Sequence, residues 1–217
     1  MSATEATEEL VPSERREEID PELLELPDPP KRERTLTVVM LLVTALASLA
    51  MVFALRRDAA YAFAEASPQD LGDLGTAPAS AFAPNRFVRG EAMLGAAHAI
   101  RYERPLVSDS FRLMPVAGRP NVWVEVRVPA GSENVRWVPP SQVAGRLVRF
   151  EGSGPKHRGL ADAVRDATGR EVPKGSWLLV ENEAPANARW AVLLVALFAG
   201  FAIWNVAVSA KLLRRVR

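Results

Sequence analysis

The sequence contains no cysteine and only two histidines in 217 residues. The absence of cysteine excludes disulfide bonds, thiol catalysis, iron–sulfur clusters and haem attached through a cysteine pair. Neither His98 nor His157 has a further ligand at the spacing of a metal site, and the serines lie in turns without a nucleophile-elbow motif. This scarcity predicts no metal site, no catalytic residue and a non-enzymatic protein.

Charge is distributed unevenly, although the net charge of the whole chain is only +1. Residues 1–34 carry 5 basic and 11 acidic residues, a net charge of −6, whereas residues 56–189 carry 18 and 15, a net charge of +3. The small excess of the second segment is not that of a nucleic-acid-binding surface, so nucleic acid is not an expected partner. The acidic composition of residues 1–34 predicts a disordered cytoplasmic tail.

Charge is missing altogether from two stretches, residues 35–55 and 190–210. A helix of about 20 apolar residues crosses a bilayer core about 30 Å thick, so both stretches are predicted to be transmembrane helices. The small-residue pattern at Ala62–Ala64 resembles a signal-cleavage site. The length of the first apolar stretch and the acidic tail before it favour an uncleaved anchor.

The basic residues beside these stretches predict their orientation. Seven basic residues flank them on the sides of the two termini, and three flank them on the side of the central segment. Cytoplasmic segments carry the excess of Lys and Arg. We therefore expect both termini, including the basic tail 211–217, to be cytoplasmic and the central segment to lie outside the plasma (inner) membrane, with membrane lipid as a partner.

The central segment divides into a helical extension with a linker, residues 56–85, and a β-rich domain, residues 86–189. Alternation in residues 122–128 predicts a half-buried strand with Val124 inside and Glu125 facing solvent, paired in a hairpin with residues 110–116. Further strands are expected at 86–94, 135–139, 143–150 and 176–182, with bends at Gly90 and Gly145. With one helix ending at Gly169, the prediction is an α+β domain built on a small barrel, with an OB-like barrel as the candidate.

The loop around residues 151–160 is the most suggestive candidate site. Its glycines allow backbone N–H groups to turn inward, its basic side chains add positive charge, and a helix begins directly after it. The predicted anion-binding residues are Gly152, Gly154, Lys156, His157 and Arg158. A phosphate, a lipid headgroup or a propionate would suit this loop, and the alternative is a basic surface loop near anionic lipid.

A polar residue lies inside the second apolar stretch. Intramembrane polar side chains usually face another helix, and Asn205 shares its helix with the small residues Ala196 and Gly200. These three residues are predicted helix contacts. Their partner is either the first span, through Thr44 or Ser48, or another integral membrane protein.

The two-span layout resembles that of the surfeit-locus family of cytochrome c oxidase assembly factors. The resemblance covers roughly residues 86–210, and it is carried by the short segments 86–94, 110–131 and 188–194. Arg127 matches an arginine that this family presents on its central strand, whereas the Gly-Trp that follows it in the family is Val-Pro here.

The resemblance implies an outward domain that assists the assembly of a larger membrane complex, here cytochrome c oxidase, and that handles haem. The family's histidine near the outer end of its second helix is replaced here by residues 185–190, PANARW, so the cofactor prediction is none. The alternative function, from the residues themselves, is an envelope sensor or anion-binding module that signals to the cytoplasm.

Overall fold

Two long apolar helices flank one mixed-sheet domain. The computed structural model describes residues 31–95, 99–104, 107–131, 137–152 and 154–214. The acidic tail before residue 31 and His98 lie outside the described residues. The helices are α1 Lys31–Tyr61, α2 Leu160–Thr168 and α3 Arg189–Arg214.

Helices α1 and α3 are long and apolar enough to cross a membrane. They contain the two stretches predicted as spans. Helix α1 continues beyond the first stretch and ends at Tyr61, so the predicted helical extension is present over residues 56–61. Large apolar side chains such as Leu46 on α1 and Trp204 on α3 are mostly exposed. Such outward apolar faces suit a lipid environment, where they replace the polar surface of a soluble helix.

The two helices pack against each other along a seam of mainly small side chains. The buried seam residues are Val38, Ala45 and Ser48 of α1 and Ala202, Asn205 and Ser209 of α3. Successive seam residues are three, four or seven positions apart, which keeps one stripe of each helix facing the other. Small residues in that stripe allow the backbones to approach.

The two long helices run antiparallel to each other. Arg34 donates a hydrogen bond to the carbonyl oxygen of Leu212, so the first residues of α1 lie beside the last residues of α3. The intervening residues 62–188 therefore begin and end at the opposite end of the pair. The sheet domain is attached there.

Asn205 satisfies its polar side chain inside the helix pair. The Thr44 hydroxyl donates to Asn205 Oδ1 over 3.2 Å, and Asn205 Nδ2 donates to the carbonyl oxygen of Phe201 over 2.7 Å. Ala196 and Gly200 are exposed instead. The structure therefore separates the three predicted helix-contact residues onto two faces of α3.

The domain contains one seven-stranded mixed sheet in the order β1-β2-β6-β7-β5-β4-β3. Its strands are β1 Gln69–Asp73, β2 Arg86–Glu91, β3 Ile100–Glu103, β4 Ser110–Val116, β5 Arg119–Val128, β6 Gln142–Arg149 and β7 Trp177–Glu181. Neighbours β1 and β2 are parallel, as are β5 and β7, and the other pairs are antiparallel. The predicted hairpin is confirmed as β4 and β5.

Two strand predictions were wrong. Residues 69–73, placed in the linker, form β1 and pair in parallel with β2. This edge strand contains one apolar residue, Leu71, so its side chains give no alternating signal and its backbone pairing decides its structure. Residues 137–139 are not a strand, and the rest of the predicted strand 135–139 lies outside the described residues.

The central strand β5 is buried on both faces. Val122, Val124 and Val126 belong to one core cluster, while Trp123 packs in a second cluster with α2. Glu125 lies on the Trp123 side and is only 2% exposed. The predicted phase of the strand is correct, but the prediction that Glu125 faces solvent is wrong, because α2 and the loop before it cover that face.

Helix α2 ends where its sequence indicates. Gly169 has a φ of 68°, and its N–H donates to the carbonyl oxygen of Arg165 over 2.8 Å. This left-handed conformation is one that glycine adopts without strain. The predicted C-cap is confirmed, and the helix packs Leu160 and Val164 onto the sheet.

The strand glycines permit close approach of neighbouring chains. A Cβ atom on Gly145 would lie 1.9 Å from the carbonyl oxygen of Val180, although the strand pairing there is regular. The register of β1 against β2 shifts opposite Gly90, where a Cβ atom would lie 2.8 Å from the carbonyl oxygen of Gly72. Only at Gly90 does the glycine accompany the expected irregularity.

Substituting Asn205 tests the contact between the two long helices. We expect Asn205→Leu to lower the stability of the purified protein by about 1 kcal/mol, because interhelical hydrogen bonds contribute roughly 0.6 to 2 kcal/mol. Thermal unfolding in a mild detergent measures this change. The exposed substitution Ala50→Leu on α1 serves as control. An unchanged unfolding temperature, combined with loss of a copurifying protein, would instead assign Asn205 to an external partner.

Candidate anion site at the membrane end of the domain

Helix α1 continues from its apolar stretch directly into contact with the domain. The Tyr61 hydroxyl donates to the carbonyl oxygen of Glu183 over 2.5 Å. Asn85 Nδ2 donates to the carbonyl oxygen of Arg57 over 3.2 Å. These bonds link the last two turns of α1 to segments more than twenty residues away, and they fix the helix to the domain.

Arg146 of β6 completes this junction. It donates to Asp58 Oδ1 over 2.6 Å and to Asn85 Oδ1 over 2.9 and 2.6 Å, and its guanidinium group lies 4.4 Å from the centre of the Tyr61 ring. Only 8% of its side chain is exposed. The flat guanidinium group suits this combination of fork-like hydrogen bonding and stacking.

A cavity of about 670 Å³ lies beside the junction, between the end of α1 and the end of β6. Its charged lining residues are Arg56, Arg57, Arg146, Arg149, Asp58 and Glu151. Phe53 and Ala54, from the end of the apolar stretch of α1, line it as well. A neighbouring cavity of about 430 Å³ shares Arg57, Gly152 and Gly154 with it. We call these two connected spaces the arginine cavity.

The charges of the arginine cavity are not balanced within the described residues. Asp58 is bound to Arg146 at 2.6 Å. Arg57 donates to the neutral carbonyl oxygen of Gly152 over 3.2 Å, and Arg149 donates to that of Gly175 over 2.6 Å. Arginine side chains remain charged throughout the physiological pH range, so the cavity has an excess of positive charge.

The structure distributes the predicted anion-binding loop over three environments. Gly152 and Gly154 line the arginine cavity, and His157 and Arg158 line its smaller part. Lys156 forms an ion pair with Glu183 at 3.1 Å. The side chain of His157 is turned inward and buried.

The arginines that supply most of the charge of the cavity were not among the predicted site residues. Arg146 and Arg149 lie on β6 and reach the cavity only through the fold. Arg56 and Arg57 directly follow the first apolar stretch. A basic pair at that position was a signal for an anion site at the membrane boundary, in addition to its effect on orientation.

A second polar cluster is buried on the α2 side of β5. Glu125 Oε2 accepts from Tyr102 over 2.6 Å and lies 2.9 Å from His157 Nε2, while Glu125 Oε1 accepts from Arg104 over 2.6 Å. Arg104 also lies over the Phe111 ring, 4.1 Å from its centre. We call Tyr102, Arg104, Glu125 and His157 the buried cluster.

The donors of the buried cluster determine the charge of Glu125. The guanidinium group of Arg104 lies 3.0 Å from His157 Nε2, and it carries only donors. A proton on Nε2 is therefore best directed at the carboxylate of Glu125. Burial raises the pKa of Glu125, but the hydrogen bond and charge of His157 and the charge of Arg104 outweigh it and hold the pKa below its usual 4.5. Burial and the Glu125 charge raise the pKa of Tyr102. Glu125 is therefore ionised at neutral pH.

Arg127, the family-matched residue, lies at the end of β5. It forms an ion pair with Asp109, whose carboxylate also accepts from the N–H of Ala130 over 3.0 Å. These two donors, the Ala130 N–H first, lower the pKa of Asp109. In the described structure Arg127 therefore stabilises the turn after the strand.

No protein-family model, curated protein or solved structure matches this chain. The resemblance to the surfeit-locus family stays a prediction. Within the described residues there is no group of three His, Asp or Glu side chains placed to hold a metal ion. His157 Nε2 is engaged by Glu125, so this histidine does not fit the role of a haem ligand.

Replacing Glu125 tests the buried cluster. Glu125→Gln leaves Arg104 buried without its carboxylate, which costs about 3 kcal/mol for such a broken pair. The folded protein lowers the pKa of Glu125, so its stabilising contribution is present above the usual value of 4.5 and is lost as pH falls through the folded-state pKa. Thermal unfolding between pH 7 and pH 3 should therefore show a smaller acid-induced loss in the variant than in the wild type.

The exposed neighbour Glu103 provides the control for this experiment. Glu103 lies on the adjacent strand β3 with 73% of its side chain exposed, and Glu103→Gln should change stability little. Equal stability of the two variants at pH 7 would show that Glu125 does not hold the cluster together.

Proposed function

We propose that the protein is a non-enzymatic, membrane-anchored accessory or assembly factor for a larger membrane complex. The resemblance noted above implies cytochrome c oxidase as that complex. The observation that carries the proposal is the free face of α3, defined by Ala196, Gly200, Ile203 and Ala207. These residues lie opposite the buried seam residue Asn205.

The free face has the composition of a helix-packing surface. No atom outside the helix backbone lies within 4 Å of a Cβ atom built on Gly200, and Ala196 is exposed one turn earlier. Small residues four apart allow the backbone of another helix to approach closely. Helix α1 already occupies the opposite side of α3, so the free face is available to a transmembrane helix of a partner.

The rigid junction suits this role. Hydrogen bonds from Tyr61, Asn85 and Arg146 fix the domain to the end of α1. A partner helix bound to the free face would therefore find the domain at a defined height above the membrane. A flexible tether would not provide that placement.

We propose further that both termini are cytoplasmic and that the sheet domain lies outside the plasma (inner) membrane. The seven-to-three bias of the flanking basic residues supports this orientation. We also propose that the sheet is partly closed into an OB-like barrel. Support comes from the hydrogen bonds of Gly95 N to Pro115 O and of Ala117 N to Met93 O, which link the chain after β2 to the end of β4.

The arginine cavity favours a second candidate function, an envelope sensor or anion-binding module that signals to the cytoplasm. The cavity contacts both the domain, through Gly152, and the end of α1, through Arg57. A ligand bound there would touch the element that continues through the membrane. The sensor function requires such a position.

Reporter fusions test the orientation. We expect a fusion at Asp70, in β1, to report an extracytoplasmic location, and a fusion after Arg217 to report a cytoplasmic one. An alkaline phosphatase and a fluorescent protein, used in parallel, distinguish the two compartments. A cytoplasmic readout at Asp70 would invert the proposed placement of the domain.

Substituting Gly200 tests the accessory function. Gly200→Leu fills the free face without touching the α1–α3 seam, so stability should be unchanged while the yield of a copurified membrane complex falls about fivefold, as expected for loss of roughly 1 kcal/mol. Affinity purification after gentle solubilisation measures the yield. Ala50→Leu, on the exposed side of α1, is the matched control. Undiminished copurification with Gly200→Leu would remove the free face as the contact.

A further inference from the structure

We infer that the arginine cavity binds the phosphate group of an anionic membrane lipid. The inference names a ligand class for the site that favours the second candidate function, and it does not depend on the accessory role. It is carried by the charge, hydrogen-bonding capacity and membrane position of the cavity.

The arginines of the cavity have unused hydrogen-bond donors. A guanidinium group has five N–H donors. Among the described residues, Arg57 directs one bond at the carbonyl oxygen of Gly152 and Arg149 one at that of Gly175. Arg56 lies over the Phe53 ring, 3.6 Å from its centre, and has no carboxylate partner among the described residues. Three arginines therefore retain donors for an added anion.

The acidic residues that line the same cavity have other partners. Asp58 is held by Arg146. Glu151 accepts the N–H of Gly175 over 3.1 Å and is exposed. Neither carboxylate binds Arg56 or Arg57 among the described residues, so the positive charge near the helix end is compensated only when an anion enters. Arginine pairs with phosphate through two parallel N–H···O bonds.

The cavity lies at the level along α1 where lipid headgroups are expected. Arg56 and Arg57 come directly after the uncharged stretch of α1, and Trp190 marks the start of α3 with its ring half exposed. Basic and aromatic residues at span ends lie at the level of the lipid headgroups. The phosphate groups of the bilayer lie at that same level, so the ligand is present at high local concentration.

The wall of the cavity nearest the apolar stretch of α1 is itself apolar. Phe53 and Ala54 line the cavity on that side, below the arginines. A lipid presents a phosphate above an apolar glycerol ester and acyl chain, and this order matches the order of the lining. Inorganic phosphate shares the headgroup chemistry but leaves the apolar wall uncovered.

Ligand-dependent stabilisation of the purified full-length protein tests the inference. The probes are short-chain phosphatidylglycerol, short-chain phosphatidylcholine and inorganic phosphate, at equal ionic strength in a nonionic detergent. A ligand that binds the folded state raises the unfolding temperature, and the rise grows with the logarithm of the ratio of its concentration to its Kd. We expect phosphatidylglycerol to act at the lowest concentration, since the choline cation opposes binding among arginines.

Two variants and one control link the effect to the cavity. Arg57→Gln should raise the apparent Kd for phosphatidylglycerol about tenfold, the equivalent of one charged hydrogen bond. Arg56→Gln, which alters no hydrogen bond to the domain among the described residues, should act in the same direction and decides the case if Arg57→Gln does not fold. Arg170→Gln changes an exposed arginine away from the cavity and should bind as the wild type does.

Several results would overturn the inference. If Arg56→Gln bound phosphatidylglycerol with the same affinity as the wild type, the arginines would be removed as the site. Equal action of the two lipids would remove the selectivity for an anion. Stabilisation by inorganic phosphate at lower concentration than by phosphatidylglycerol would identify a free anion as the ligand. Gly200→Leu should retain lipid binding, which separates this test from that of the accessory function.

Discussion

The ion pair between Arg146 and Asp58 is the contact on which the attachment of the sheet domain to α1 depends. Asp58 belongs to α1, a helix long and apolar enough to cross a membrane, and Arg146 belongs to strand β6 inside the sheet. Burying a charged side chain is favourable only when charge and hydrogen bonds are compensated. Asp58, Asn85 and the Tyr61 ring provide that compensation together. Rotation or sliding of the helix would therefore leave the buried guanidinium group of Arg146 without its charge partner.

This constraint also explains why the arginine cavity exists. Arg146 consumes Asp58, the only acidic residue in the last turn of α1, and so leaves Arg56 and Arg57 beside it without an acidic partner in the described structure. An internal cross-link and an external anion site are thus two results of one distribution of charge. A further carboxylate at this end would neutralise the cavity and weaken the attraction to anionic headgroups.

Much of the fold could be predicted because its signals are local. Uncharged length identified both helices, alternation identified the β4–β5 hairpin, and Gly169 identified the end of α2. Strand β1 could not be predicted, since an edge strand is defined by backbone pairing with a partner that the sequence does not name. The exposure of Glu125 was also unpredictable from alternation, because a strand with polar residues on one face looks half-buried unless the covering elements are known. The cavity combines α1 and β6, which lie far apart in the chain, so only its loop residues were found.

The buried cluster and the arginine cavity share one loop. Gly152 receives the hydrogen bond of Arg57 at the cavity, and His157 reaches Glu125 a few residues later. Lys156, between them, is held to Glu183, whose carbonyl oxygen accepts from Tyr61 of α1. The loop is therefore fixed at both ends and in between, to the sheet on one side and to α1 on the other. These polar contacts together link the end of α1, the loop and the covered face of β5.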